Sequence, residues 1–118
     1  MDKREVDRLL PEAYEAIKYY TIADGTGGIS KTFRGQISSF GAAVTMGSVL
    51  SAVAFFSAQG SSPTDRPKLM KVIYELIHPE EPNLFDYVNA HRGSREVKEK
   101  VINAAIAVKL ALNLYNLE

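Results

Sequence analysis

No charged residue stands between Arg34 and Asp65 in this chain. Across the whole sequence 24% of residues are Asp, Glu, Lys or Arg, so a gap of this length demands a structural cause. Residues 29–57 read ISKTFRGQISSFGAAVTMGSVLSAVAFFS, with Lys31 and Arg34 at the front and no charge behind them. Just ahead, Gly25-Thr26-Gly27-Gly28-Ile29-Ser30-Lys31-Thr32 differs by one residue from the phosphate-binding pattern G-x-x-x-x-G-K-[ST]. One segment thus admits three readings: a nucleotide loop, a membrane span, or two packed helices of a small bundle.

The loop reading needs a glycine immediately before the lysine so that backbone amides can wrap the phosphates, and Ser30 stands there. It also needs a parallel sheet, and an apolar strand ending in Asp to hold magnesium. The helical pattern of the remaining chain supplies neither. The expectation is instead a glycine-rich linker, residues 24–28, entering a helix at Ser30. The amide-rich helix start beside Lys31 and Arg34 retains some capacity for a phosphate. Residues 36–59 are long enough to cross a bilayer, which takes about 20 apolar residues. However, Ser38, Ser39, Thr45, Ser48, Ser51, Ser57 and two glycines lower their hydrophobicity, and the apolar residues of the first half favour one face. A buried helix pair in a soluble core, with no membrane partner, is preferred.

Helical spacing organises the rest. Val6, Leu9, Leu10, Ala13, Tyr14 and Ile17 recur at three- and four-residue steps over residues 2–20, with Pro11 either kinking that helix or sitting in the first turn of a later one. Phe33, Ile37, Phe40 and Val44 fall on one narrow face of the next. Lys31, Arg34, Ser38, Gly41 and Thr45 gather beside them, on a face basic at one end and small throughout. Gly47-Ser48 offers a break, and Val49, Leu50, Val53, Ala54 and Phe56 then form a second, almost wholly apolar helix. Gly60-Ser61-Ser62-Pro63 reads as a loop, and Thr64-Asp65-Arg66-Pro67 as a cap and first-turn proline. Leu69, Met70, Val72, Ile73, Leu76 and Ile77 make the inner face of the helix that follows. Pro79 and Pro82 close it, and one short helix fits residues 83–88. The last helix is expected from Ser94 to about Leu117, apolar on most sides, with a narrow stripe of Arg95, Lys98, Lys109, Asn113 and Asn116. Only residues 19–22 hint at strand alternation. The expected fold is all-α, a compact single-domain bundle of about five to six helices over residues 1–118.

Composition narrows function mainly by exclusion. The absence of cysteine removes disulfides and thiolate zinc sites and suits a reducing cytoplasm. The start, Met1-Asp2-Lys3-Arg4-Glu5, lacks the profile of a signal peptide. Formal net charge is zero, yet residues 1–30 sum to −2, 31–78 to +3, 79–91 to −3 and 92–118 to +2, so one basic face remains within reach. His78 precedes Pro79 at a helix end, where it would complement the helix dipole. His91 falls in a loop beside Arg92. Neither shares metal-ligand spacing with the carboxylates, and no arginine lies four to seven residues before either, as helical ribonuclease-like domains require. Glu80-Glu81 reads as a solvated turn. No catalytic, metal or cofactor site is therefore expected.

The basic residues remain. Lys31 and Arg34 share one helix face; Arg95, Lys98 and Lys109 share another. Long cations with small neighbours suit a phosphate backbone, because the neighbours permit close approach and the cations release counterions. Ser, Thr and Asn on the same faces can add neutral hydrogen bonds. A solvated helix face is the plain alternative. Lys109, mid-helix among apolar residues, either snorkels or meets an anionic partner.

Ser30-Lys31-Thr32-Phe33-Arg34-Gly35-Gln36-Ile37-Ser38-Ser39-Phe40-Gly41, followed by Leu50-Ser51-Ala52-Val53-Ala54-Phe55-Phe56-Ser57, resembles the small helical subunit, the fifth component, of the Cmr (type III-B CRISPR, RAMP module) effector complex. The order of the flanking helices fits, although only residues 31–57 are distinctive. The family's Gly-Leu pair at the junction of the two signature helices is here Ser48-Val49, with Gly47 one residue earlier, and the chain is short for the family. The resemblance implies a non-catalytic, architectural subunit that stacks along the crRNA-bound filament and helps form the channel for target RNA. Its implied partners are other Cmr subunits, the crRNA–target duplex and further copies of itself. Lys31 and Arg34 would face RNA, with Arg66, Lys98 and Lys109 as weaker candidates. Glu80, Glu81 and Asp86 would face a neighbouring subunit. Sequence specificity would come from the guide, so no base-reading side chain is needed. A protein-interaction adaptor without RNA contact is the competing expectation.

Overall fold

Four helices begin where a short polar side chain can take up free amides at the helix start. The Asp2 carboxylate accepts the N–H groups of Arg4 and Glu5 at 3.0 and 3.3 Å. Ser48 accepts from Ser51 at 3.2 Å, Asn83 from Asp86 at 2.8 Å and Ser94 from Val97 at 3.2 Å. The structure, a computed structural model, describes residues 1–20, 28, 29, 31–58 and 66–117, with side chains at 1–20, 32–58 and 66–115. Within it lie six helices: α1 (Lys3–Tyr19), α2 (Lys31–Met46), α3 (Val49–Ser57), α4 (Arg66–Ile77), α5 (Leu84–Ala90) and α6 (Arg95–Leu112). The glycine linker at 24–27, the loop at 60–63 and the cap at Thr64 and Asp65 lie outside the described residues, as does the side chain of Lys31.

The chain is an all-α single-domain bundle, with α6 at its centre against α1, α2 and α4, and α3 wedged among α2, α4 and α5. Of the expected inner faces, Val6, Leu9, Ala13, Ile17, Ile37, Phe40, Val44, Leu69, Val72, Ile73 and Leu76 are buried. Each of these side chains larger than alanine contributes about 1.5–3 kcal/mol of hydrophobic stabilisation. On α6, alanines at 104, 105, 107 and 111 are buried together with Val101 and Val108. Their small size lets three other helices approach one axis, while alanine's high helix propensity favours the helix itself. Two polar side chains are buried with them. Asn103 Oδ1 accepts the Asp2 N–H at 3.0 Å, tying the start of α1 to α6. Gln36 Oε1 has no hydrogen-bond partner.

Several boundaries differ from expectation, each for a local reason. α1 runs through Pro11 without ending. Pro11 is exposed, so the Asp7 carbonyl that loses its amide partner is on the side open to water. At the α2–α3 junction Ser48 is the N-cap of α3, and a Cβ on Gly47 would stand 3.0 Å from the Ala43 carbonyl oxygen. The serine thus starts α3, and the glycine one residue earlier admits the close approach. α6 stops at Leu112 rather than near Leu117, so Asn116 does not belong to its polar stripe. The chain turns there because Tyr115 folds back on α1, its ring stacked on Tyr14 at 4.7 Å and its hydroxyl donating to the Tyr14 carbonyl at 2.8 Å. Beyond it β2 (Asn116–Leu117) pairs in parallel with β1 (Gly28–Ile29), a two-residue register of Gly28 with Asn116 and Ile29 with Leu117. Among the described residues no helix is long and apolar enough to cross a membrane.

Candidate nucleic-acid interface

The β1–β2 pairing ties the entry of α2 to the exit of α6. Arg34, in the first turn of α2, and Lys109, in the last turn of α6, therefore belong to the same end of the molecule. The backbone of Lys31 starts α2 at that end. Arg34 is half-buried and Lys109 is exposed. Lys109 is paired with no carboxylate among the described residues. Its position at the helix C-terminus favours the cation, and its stem lies beside Ile106 in a groove, so the side chain snorkels.

That groove runs between α2 and α6 and encloses about 300 Å³. The α2 wall carries Ser38, Gly41 and Thr45 of the small face expected from the sequence, with Ile37, Ala42 and Met46 beside them. Ile102, Ala105, Ile106 and Lys109 form the α6 wall. The hydroxyl-bearing residues Ser38 and Thr45 are exposed, and the space beside Gly41 is open. Among the described residues no carboxylate lines it. A groove with a cation at its rim and hydroxyls on one wall is chemically suited to a phosphodiester strand.

The other two candidates stand apart. Lys98, half-buried, shares the Ile102–Lys109 stripe of α6 but lies eleven residues back, about 16 Å along the axis. Arg66 opens α4 on a different side, its guanidinium 4.8 Å from the centre of the Phe55 ring and 5.9 Å from that of Phe56. Arg34 and Lys109 thus belong to one end of the molecule, Lys98 lies on the α6 stripe eleven residues before Lys109, and Arg66 is engaged with the rings of α3.

A second groove, about 610 Å³, lies between α1 and the end of α4 and has the opposite character. Glu12, Glu15 and Glu75 line it with Tyr19, Tyr20 and His78, and among the described residues no lysine or arginine does. The Tyr20 hydroxyl donates to Glu75 at 2.9 Å; burial, then that bond, pushes it up to about 12. His78 ends α4 through its backbone rather than through charge alone. It is in the left-handed region, φ 53°, and its N–H donates to the Tyr74 carbonyl at 2.9 Å. A third groove, about 830 Å³, lies among α3, α4 and the start of α5, lined by Ala54, Met70, Lys71, Tyr74, Leu84 and Phe85 among others.

Sequence reasoning passed over three features. Phe55 is 60% exposed, which periodicity cannot reveal in a helix apolar on every side. His91 Nε2 stands 3.4 Å from Glu81 Oε2, a pairing set by the α4–α5 turn rather than by spacing. Asn103 is buried within the core helix, and its partner is an amide 101 residues away. Among the described residues no three His, Asp or Glu side chains converge as metal ligands would. Compared with known proteins, the chain matches no family model, no curated protein and no solved structure.

Proposed function

We propose that this chain is a non-catalytic structural subunit of a type III-B CRISPR (Cmr) RNA-guided effector complex, stacking along the crRNA filament and helping to hold target RNA in cytoplasmic antiviral defence. The observation that supports this reading is a groove lined by Lys109 and, among the described residues, by no carboxylate, at the end of the molecule where Arg34 lies in the first turn of α2. The resemblance of residues 30–57 to the family's signature places the same Lys31–Arg34 turn toward RNA. Lys109 and Arg34 would neutralise phosphates at this end, with the hydroxyls of Ser38 and, further along the groove, Thr45 adding neutral hydrogen bonds. Such contacts are indifferent to sequence, as befits a complex whose guide does the reading. The third groove favours a second reading, an adaptor that docks a protein segment and never touches RNA.

Co-expression with RAMP subunits and a crRNA separates the two. The protein is expected to co-purify with both, and Arg34→Ala with Lys109→Ala should weaken RNA retention while leaving the protein subunits assembled. A complex that forms without this chain, or one whose RNA retention is untouched by the pair of substitutions, overturns the reading.

A further inference from the structure

A lone exposed phenylalanine is ordinary on a protein surface; the surroundings of Phe55 are not. Its ring makes an edge contact with Phe56, centroids 5.7 Å apart at 68°, and carries the Arg66 guanidinium at 4.8 Å. Phe56 in turn packs edge-on against the fully buried Phe40 at 5.1 Å. The exposed ring is therefore tied to the core and held in orientation. Its exposed neighbours in sequence, Ser51, Ala54 and Ala58, are small and leave room above it.

The free charges on this side are cationic. Arg66 pairs with no carboxylate among the described residues, and exposed Lys71 lines the adjoining groove. The carboxylate in that groove, Glu75, already accepts the Tyr20 hydroxyl. An exposed ring beside a stacked guanidinium and an exposed lysine matches the needs of an unpaired nucleobase. Every base has a π-face, guanidinium planes stack on bases, and the flanking phosphates seek cations. A protein partner would instead receive an anchor residue into a recess, whereas Phe55 stands out from the surface.

Building on the RNA-binding reading above, we propose that Phe55 with Arg66 is a stacking platform for an unpaired RNA base, with Lys71 beside it for the phosphate backbone. The platform, on α3 and α4, shares no residue with the lining of the α2–α6 groove and would engage a single-stranded stretch rather than a duplex.

The chain has no tryptophan, so Phe55→Trp places a lone fluorophore at the platform. Its emission is expected to be quenched saturably by oligouridylate and unchanged by a blunt RNA duplex. Phe55→Ala, with its fold checked by circular dichroism, should weaken oligouridylate binding about tenfold and leave duplex binding alone. No quenching, together with unchanged oligouridylate affinity in Phe55→Ala, overturns the platform. The groove reading survives that result if duplex binding still depends on Arg34 and Lys109. Failure of the unmodified protein to bind either RNA overturns both. Loss of a RAMP subunit from Phe55→Ala with oligouridylate affinity intact makes the ring a protein anchor and also overturns the platform.

Discussion

The α2–α6 groove and the α1–α4 groove are both clefts between helices of one small bundle, yet among the described residues the first is lined by no carboxylate and the second by no lysine or arginine. Each also has a conspicuous exposed apolar side chain: Met46, 86% exposed, in the first and Tyr19, 78% exposed, in the second. A formal charge of zero is therefore the sum of separated faces rather than an even mixture. Salt screens exposed charges beyond about 8–10 Å, so each groove presents its own sign to a partner. Aromatic exposure alone does not distinguish a nucleic-acid face. Tyr19 stands among glutamates and Phe55 beside an arginine, which is why only the latter is assigned to a base.

The acidic groove differs from the basic one in holding a half-buried hydroxyl against a carboxylate, and alkaline pH should expose that difference most strongly. Burial pushes both Tyr20 and Tyr115 up to about 12 from the ordinary value of 10.0. The folded chain resists their ionisation while the unfolded chain does not. The stability they contribute is intact below pH 10 and is lost as pH rises from about 10 to 12. Urea unfolding followed across that window should show a falling midpoint, and Tyr20→Phe should flatten the fall in part, leaving the share of Tyr115. A midpoint independent of pH up to 12 would remove Tyr20–Glu75 from the account of the acidic groove.

A smaller effect of opposite sign is expected from Pro11, which lines the wall of the same groove. Because α1 passes through it, Pro11→Ala should restore an amide to the Asp7 carbonyl and stabilise the fold by about 1–3 kcal/mol. Denaturant unfolding checks this. An unchanged or lowered midpoint would mean that the proline ring packs better in that wall than an alanine with its hydrogen bond.

Much of the bundle is legible in the sequence, because helix starts and inner faces are local. Asp2, Ser94 and the three- and four-residue spacing of Val6, Leu9, Ala13 and Ile17 are visible without a fold. So is the small face of Ser38, Gly41 and Thr45. What is not legible is whatever depends on distant partners. The end of α6 is set by Tyr115 meeting Tyr14 across the chain. That Lys109 belongs with Arg34, while Arg66 does not, follows from the pairing of residues 28–29 with 116–117 and from the rings of α3. Neither leaves a periodic trace, since a two-residue pairing is too short for alternation and α3 is apolar all round.

The salt dependence of RNA binding tests the central assignment most directly. With a labelled RNA duplex, log K should fall linearly with log salt concentration. Arg34→Ala with Lys109→Ala should reduce that slope by about 2 while weakening binding to all sequences alike. Glu12→Gln with Glu15→Gln, in the opposite groove, should leave the slope as it is. A slope unchanged by the first pair of substitutions, or changed equally by both pairs, would contradict the placement of RNA at the α2–α6 end.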